Sequence, residues 1–129
     1  MIQKEFKAVE AFHNAFKIGC ANQPTVDLPE NILDLRFRLM EEENLEYLEA
    51  AKNKDMVEVA DALGDMLYIL CGTILTHGMQ HKIEEVFDEI QRSNMSKLGA
   101  DGAPIYREDG KVMKGPNYFK PDIKKILKQ

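Results

Sequence analysis

Two consecutive helical segments between residues 39 and 73 place acidic residues on the faces where a buried core would be expected. Each face follows the three-and-four spacing of an amphipathic helix. On the first segment the face comprises Leu35, Leu39, Glu42 or Glu43, Glu46 and Ala50. On the second it comprises Val57, Asp61, Gly64 or Asp65, Tyr68 and Gly72. Each apolar stripe therefore becomes acidic for about two turns and then apolar again.

The connection between the two segments determines which acids meet. Helix-forming residues give way to turn residues at 53–55, so the pattern predicts a helical hairpin that folds back there. Residues equally distant from the turn should lie at the same height. The facing pairs are then Glu43 with Asp65, and Glu46 with Asp61 or Ala62. Helices packed about 8–10 Å apart would bring four carboxylates together.

Such a cluster is unfavourable unless a cation is bound. Burial and like charge both oppose ionisation of every carboxylate in a half-buried site. A hard divalent cation resolves the conflict, and Mg²⁺ is favoured because it takes carboxylates, waters and a substrate's phosphates, with Mn²⁺ as the alternative. A solvated acidic face is the competing interpretation, and it suits Glu41 and Glu49. It suits Asp61 and Asp65 poorly, because residues 60–75 are apolar nearly all round.

Composition and charge narrow the class of protein. The 129 residues, 44% of them hydrophobic and 30% charged, predict one soluble domain at 1–129, with a helical body at about 1–96 and an arm at about 97–129. The body holds 18 acids against 9 Lys and Arg, whereas the arm holds 4 acids against 8. The arm is short and tethered to an acidic body that would repel a duplex, so we expect a small polyanion as partner and no nucleic acid.

Compartment and membrane association follow from a few further features. No apolar run is expected to reach the length of a membrane span, and the first residues lack the pattern of a signal peptide. Cys20 and Cys71 make a single potential pair, and Cys71 lies in an apolar helix. We therefore expect free thiols, a cytoplasmic location and no membrane partner.

The remaining pattern predicts an all-α fold, a four- to five-helix bundle with a short C-terminal β-hairpin arm. Helices are expected at about 3–18, 29–52, 56–76, 81–95 and 122–127. Strand-like flanks around Asp109-Gly110 indicate the hairpin. Asn94 continues the apolar face of the fourth helix, so its amide should point inward. His13 is expected to be a hydrogen-bonded histidine at the edge of the core.

Three motifs together resemble the all-α nucleoside triphosphate pyrophosphohydrolases, the MazG-like superfamily. Residues 42–46 match its EExxE motif, and ADALGDMLYILCGT, with Asp61 and Asp65, is similar to its metal-binding helix. The later run SNMSKLG…DGKVMKGPNY resembles one branch, the phosphoribosyl-ATP pyrophosphohydrolase-like single-domain proteins, some of which act as dUTP-type pyrophosphatases. EExxE alone is weak, but the combination is specific and spans nearly the whole chain.

The second motif departs from the usual ExxD. Ala62 stands three residues before Asp65, and the acid appears at Asp61 instead. Glu58 and Asp61 form a second, overlapping ExxD on the same helix face, so Glu58 is an alternative ligand to Asp61.

The resemblance implies attack by water on the α-phosphorus of a (deoxy)nucleoside triphosphate, giving a monophosphate and pyrophosphate. Such chemistry needs cations on the phosphates and an oriented water. The predicted Mg²⁺ ligands are Glu43, Glu46, Asp61 and Asp65, and Glu42 or Glu46 would orient and deprotonate the water. The predicted substrate-binding residues are Asn94, Lys97, Lys111 and Lys114.

Other functions stay open at this point. Phosphoribosyl-ATP pyrophosphohydrolase-like activity is one, and a catalytically silent helical interaction module is another. A di-iron carboxylate bundle would need Glu-x-x-His pairs, and here Ile74 and Gly78 precede His77 and His81 at that spacing. The apolar surface of residues 60–75 and the related folds predict a homodimer or homotetramer.

Overall fold

The structure is a computed structural model and describes residues 1–128. Its helices are α1 (Gln3–Ala15), α2 (Glu30–Lys52), α3 (Met56–Thr76), α4 (Ile83–Met95) and α5 (Ile123–Leu127). These bounds lie within three residues of the predicted ones, and α3 matches its prediction at both ends. The predicted all-α class is confirmed.

The chain divides into two compact units, Met1–His81 and a second unit that begins at Lys82. The first unit holds α1, α2 and α3, and the second holds α4 and α5. This division falls before α4, whereas the sequence predicted a boundary after α4, between a helical body that ends at about residue 96 and a C-terminal arm. The prediction of one domain over the whole chain stays a prediction.

In the first unit α2 and α3 form the predicted antiparallel hairpin. Asn53 ends α2, and Lys54 adopts a left-handed conformation with φ 57°. The Asp55 amide then donates to the Ala50 carbonyl oxygen at 3.0 Å. The Asp55 carboxylate accepts a hydrogen bond from the Glu58 amide at 3.1 Å and so caps α3. Local hydrogen bonds therefore fix the turn on which the facing pairs depend.

The core of the first unit lies mainly between α1 and α3. Its buried apolar side chains are Phe6, Val9, Ala50, Ala62, Cys71, Ile74 and Leu75. Gly72 allows a close approach here, because a Cβ at this position would lie 2.6 Å from Nη2 of Arg36 and 2.9 Å from Nε2 of His13. Helix α3 thus presents its C-terminal half to the core and leaves its acidic N-terminal half to α2.

In the second unit a loop is fastened to α4 by polar contacts. The buried Ser93 hydroxyl donates to the Phe119 carbonyl oxygen at 2.8 Å, and the Phe119 amide donates to the Ser96 hydroxyl at 3.1 Å. The Arg92 guanidinium lies 4.2 Å above the centre of the Phe119 ring. These contacts hold the loop before α5 against α4.

The predicted C-terminal β-hairpin is wrong. Within residues 1–128 the structure shows no strand in this region, and a single antiparallel bridge joins Tyr106 to Val112. The turn at Asp109-Gly110 does form, with Gly110 at φ 88°. Residues 100–114 are exposed throughout, so little burial of apolar side chains supports strands here. An isolated two-stranded hairpin is marginal in water, which explains why the ladder stops at one bridge.

Helix α3 corrects the expectation that no apolar segment reaches the length of a membrane span. It is long and apolar enough to cross a membrane by length and composition alone, and about a third of its most apolar stretch is buried within the protein. The core helix of a soluble protein meets the same criterion. Glu58, Asp61 and Asp65 all lie in its N-terminal half.

Candidate active site

Glu43 stands at the centre of the predicted carboxylate cluster. The residue is half-buried on α2, and its Oε2 is shielded from solvent without a hydrogen-bond partner. Burial, a side-chain hydrogen bond with Glu46 and the negative charges of Glu46, Asp65 and Asp61 raise the pKa of Glu43 to about 7. The hairpin therefore brings the other three predicted metal ligands close enough to Glu43 to raise its pKa.

The other members of the cluster differ in exposure. Asp65 is half-buried, whereas Glu46 and Asp61 are exposed. Glu46 and Asp61 open onto a cleft of about 480 Å³ at the turn end of the hairpin, which Glu58 also lines. The acids that raise the pKa of Glu43 include Asp61 but not Glu58. This difference supports Asp61 over Glu58 as the fourth member of the cluster.

Glu42, the other residue predicted to act on water, is exposed on α2. Glu46 combines exposure to the cleft with contact to Glu43. Of the two predicted bases, Glu46 is therefore the one that the hairpin connects to the cluster.

The chemistry of the cluster suits a hard cation, although its side chains do not converge on one point. Among residues 1–128, no three His, Cys, Asp or Glu side chains are arranged as a ready metal-binding group. The donors are carboxylate oxygens throughout, which is the ligand type that Mg²⁺ and Mn²⁺ take. The partnerless Oε2 of Glu43 is an acceptor that a cation would satisfy. By donor type the residues fit the expected metal.

The predicted substrate-binding residues lie in the second unit and are only partly brought together. Asn94 is exposed on α4, so the prediction that it continues a buried face is wrong. Asn94 and Lys97 line a mainly apolar cavity of about 370 Å³. Lys111 and Lys114 are exposed and do not line it, and Nζ of Lys114 lies 4.8 Å above the Tyr118 ring. Of the four predicted substrate-binding residues, only Asn94 and Lys97 therefore line the same cavity.

Sequence reasoning missed Arg36, which is 8% exposed and lies among the helices of the first unit. The signal was available, because Arg36 occupies the apolar face of α2 seven residues, or about two turns, before Glu43. The predictions treated only the acids on that face as chemically informative. Cys20 and Cys71 are free thiols, as predicted, and His13 is buried as predicted, with Nδ1 3.4 Å from the Cys20 sulfur.

The fold is all-α, and acidic side chains of its helical hairpin line a cleft. These two features define the class of protein. Comparison with protein families shows to which family within that class the chain belongs. The model of the phosphoribosyl-ATP pyrophosphohydrolase family matches residues 9–94, more than half of the chain. The chain belongs to this family, as the sequence motifs predicted, and it is a nucleotide pyrophosphohydrolase.

The matched range contains every acid of the cluster and ends at Asn94, before the three predicted phosphate-binding lysines. Among solved structures, the chain is similar to a protein called "a putative NTP pyrophosphohydrolase" from Exiguobacterium sp. 255-15. The two are 28% identical over 95% of this chain and 93% of the other, with a TM-score of 0.48. No curated protein matches the chain.

Proposed function

We propose that the protein is a Mg²⁺-dependent pyrophosphohydrolase that converts a (deoxy)nucleoside triphosphate, with dUTP-type substrates as leading candidates, to a monophosphate and pyrophosphate. Water attacks the α-phosphorus, the bond from that phosphorus to the bridging oxygen breaks, and pyrophosphate leaves. The observation that carries the proposal is the half-buried Glu43, whose pKa is raised to about 7 by burial and by three neighbouring acids. A site built to repel its own charges suits a cationic cofactor.

Glu43, Glu46, Asp61 and Asp65 would hold Mg²⁺, which supplies the positive charge that phosphate oxygens need during the reaction. Glu46 would accept the proton of the attacking water, because it is exposed to the cleft and a carboxylate within hydrogen-bond reach of a water can act as its general base. Glu58 lines the same cleft and would orient water or nucleotide there. The roles of Asn94, Lys97, Lys111 and Lys114 as substrate-binding residues stay predictions.

Removing one charge from the cluster tests the proposal. Glu46→Gln and Asp65→Asn keep the side-chain size and delete one anionic oxygen. Loss of a general base alone lowers turnover by about 10²–10⁴-fold, and we expect the pyrophosphate released from dUTP to fall at least that far in either variant. Pyrophosphate release is followed in a coupled assay with Mg²⁺ present.

The matched control is Glu41→Gln, an exposed acid on the same helix that lies off the acidic face. It should keep wild-type turnover, and circular dichroism should show all three variants folded. Full activity in both Glu46→Gln and Asp65→Asn would contradict the assignment of the site.

The family itself favours one further substrate, phosphoribosyl-ATP, because the matched model carries that name. A panel of ribo-, deoxy- and modified triphosphates, together with phosphoribosyl-ATP, separates the two substrate classes. The best substrate is the one with the highest kcat/KM, since specificity is a ratio of these values. Every productive reaction should release pyrophosphate rather than inorganic phosphate.

We also propose that the protein forms a homodimer or homotetramer through α2 and α3. Large apolar side chains are exposed on both helices, including Phe37 and Leu45 on α2 and Leu63, Leu67 and Leu70 on α3. Leu63, Leu67 and Leu70 follow helical spacing and so share one face of α3. Contiguous apolar surface of this kind marks an interaction site, and a second copy of the chain offers a matching surface.

A further inference from the structure

A second polar centre in the first unit takes no part in the proposed hydrolysis. It consists of Arg36 and the cavity that this residue lines. The cavity has a volume of about 300 Å³ and lies where the loop between α1 and α2 meets α2 and the end of α3. Its lining is mainly apolar, with Ile18, Leu28, Ile32 and Leu39 among the side chains and Cys20, Arg36 and Thr76 as polar members.

Helix α3 holds the Arg36 guanidinium in a fixed position. Nε donates to the Thr73 hydroxyl at 3.0 Å, and Nη2 donates to the Ile69 carbonyl oxygen at 2.9 Å. Thr73 in turn donates to the same Ile69 oxygen at 2.9 Å. Since arginine has five N–H donors and two are used here, donors remain for a ligand. Thr73 and the close approach at Gly72 thus orient the guanidinium before any ligand arrives.

Arg36 has no carboxylate to balance its charge. No acidic side chain among residues 1–128 influences its pKa, which burial lowers and only the Cys20 thiol raises. The acids on the same helix are about two turns away, beginning at Glu43. A buried charge without a counter-charge is strongly unfavourable, so its presence beside a cavity calls for a partner.

The neighbouring titratable groups leave Arg36 as the positive charge of the cavity. Burial and the charge of Arg36 lower the pKa of His13, which keeps this imidazole neutral near pH 7. Burial and the charge of Glu10 raise the pKa of the Cys20 thiol, which keeps it protonated. A ligand entering the cavity would therefore meet one fixed cation among mainly apolar walls.

We propose that this cavity binds a small organic anion, with a carboxylate or phosphate group on Arg36 and an apolar body against the aliphatic side chains. Small-molecule sites have this composition, with mainly apolar walls and a few fixed polar groups. A guanidinium recognises such oxyanions through paired, charge-assisted hydrogen bonds. The cavity volume of about 300 Å³ equals that of about ten water molecules at roughly 30 Å³ each, which leaves room for one ring and an acid group.

The proposal goes beyond the nucleotide hydrolysis and does not rest on it. The acidic cluster attracts cations, whereas the Arg36 cavity attracts anions. The two locations share α2 but are separated along it by about two turns.

Benzoate, phenyl phosphate and neutral benzamide are suitable probes, since all three carry one ring. Titration of the full chain, followed by amide chemical shifts, should show both anions binding at millimolar concentration. The shifted amides should cluster at residues 18–21, 28–39 and 76. Benzamide should bind at least about tenfold more weakly, because it lacks the charge that pairs with Arg36.

Substitutions at single residues test whether the charge of Arg36 is responsible for anion binding. Arg36→Met should abolish anion binding, and Arg36→Lys should keep part of it, because lysine retains the charge without the paired donors. Arg38→Met is the matched control, an exposed arginine two residues away on the same helix, and it should bind benzoate as the wild type does. Asp65→Asn should also bind benzoate normally, which separates this test from that of the acidic cluster.

Equal binding of benzamide and benzoate would overturn the proposal. It would also be overturned if the amide chemical shifts changed only at other residues, or if neither benzoate nor phenyl phosphate bound. Unchanged binding in Arg36→Met would do the same. If Arg36→Met does not fold, the comparison of charged and neutral probes on the wild-type protein, together with Arg36→Lys, still decides the question.

Discussion

Glu43 and Arg36 show how strongly position on a helix face changes the chemistry of a charged side chain. Both lie on the inner face of α2, seven residues apart, and both are withdrawn from solvent to different degrees. Glu43 has like charges around it, and Arg36 has no counter-charge. Glu41 and Arg38 on the same helix are instead exposed to solvent. The charges at positions 43 and 36 are therefore the ones that a ligand would neutralise.

The raised pKa of Glu43 predicts how stability depends on pH when no divalent cation is present. The folded protein binds this proton more tightly than the unfolded chain, because the pKa rises from 4.5 to about 7 on folding. The contribution to stability is present below about pH 4.5 and is lost as the pH rises through about 7. Glu43→Gln cannot ionise, so with chelator present it should gain stability over the wild type as the pH rises through this window.

Urea unfolding midpoints near pH 5 and near pH 8 measure this difference. Glu41→Gln serves as the control and should follow the wild type at both values. The same pH dependence in Glu43→Gln and in the wild type would show that Glu43 is not the group that titrates. Addition of Mg²⁺ near pH 8 should stabilise the wild type more than Glu43→Gln, since a ligand that binds the folded state raises its stability.

At the scale of single elements, helices were predictable and the β-hairpin was not. The bounds of α3 follow from local signals, with Asp55 as a capping residue at one end and His77-Gly78 at the other. The pairing of Tyr106 with Val112 depends instead on what packs against the flanking residues, and those residues are exposed. Turn chemistry alone predicted the reversal at Asp109-Gly110 but could not supply a packed face for strands.

The exposed face of α3 leads to a prediction about assembly. In the wild type we expect a dimer or tetramer at micromolar concentration by light scattering coupled to size exclusion. Replacing both Leu63 and Leu67 with Glu puts like charges on the proposed interface and should give a folded monomer of half the mass or less. Val26→Glu is the control, because Val26 is 80% exposed in a loop. A wild-type chain that is a compact monomer at this concentration would contradict the prediction.

For the whole molecule, the acidic hairpin could be predicted because it depends on residue spacing within one stretch of chain, and the family could be predicted because three motifs along the chain resemble it. The arithmetic of the turn placed Glu43 against Asp65, and Glu43 does interact with Asp65, Glu46 and Asp61. The Arg36 cavity depends on the course of the loop at residues 18–29, and no periodic pattern specifies that course. Substrate choice depends likewise on the shape of a pocket, which residue spacing does not encode.

The central claim is that the acids between α2 and α3 are tolerated because they bind a divalent cation. The most direct measurement is a crystal structure of the protein grown with Mg²⁺ and a non-hydrolysable triphosphate analogue. We expect the ion at about 2.1 Å from carboxylate oxygens of Glu43, Glu46, Asp61 or Asp65, with phosphate oxygens completing its coordination. An ion bound elsewhere, with these four side chains turned into solvent, would contradict the claim.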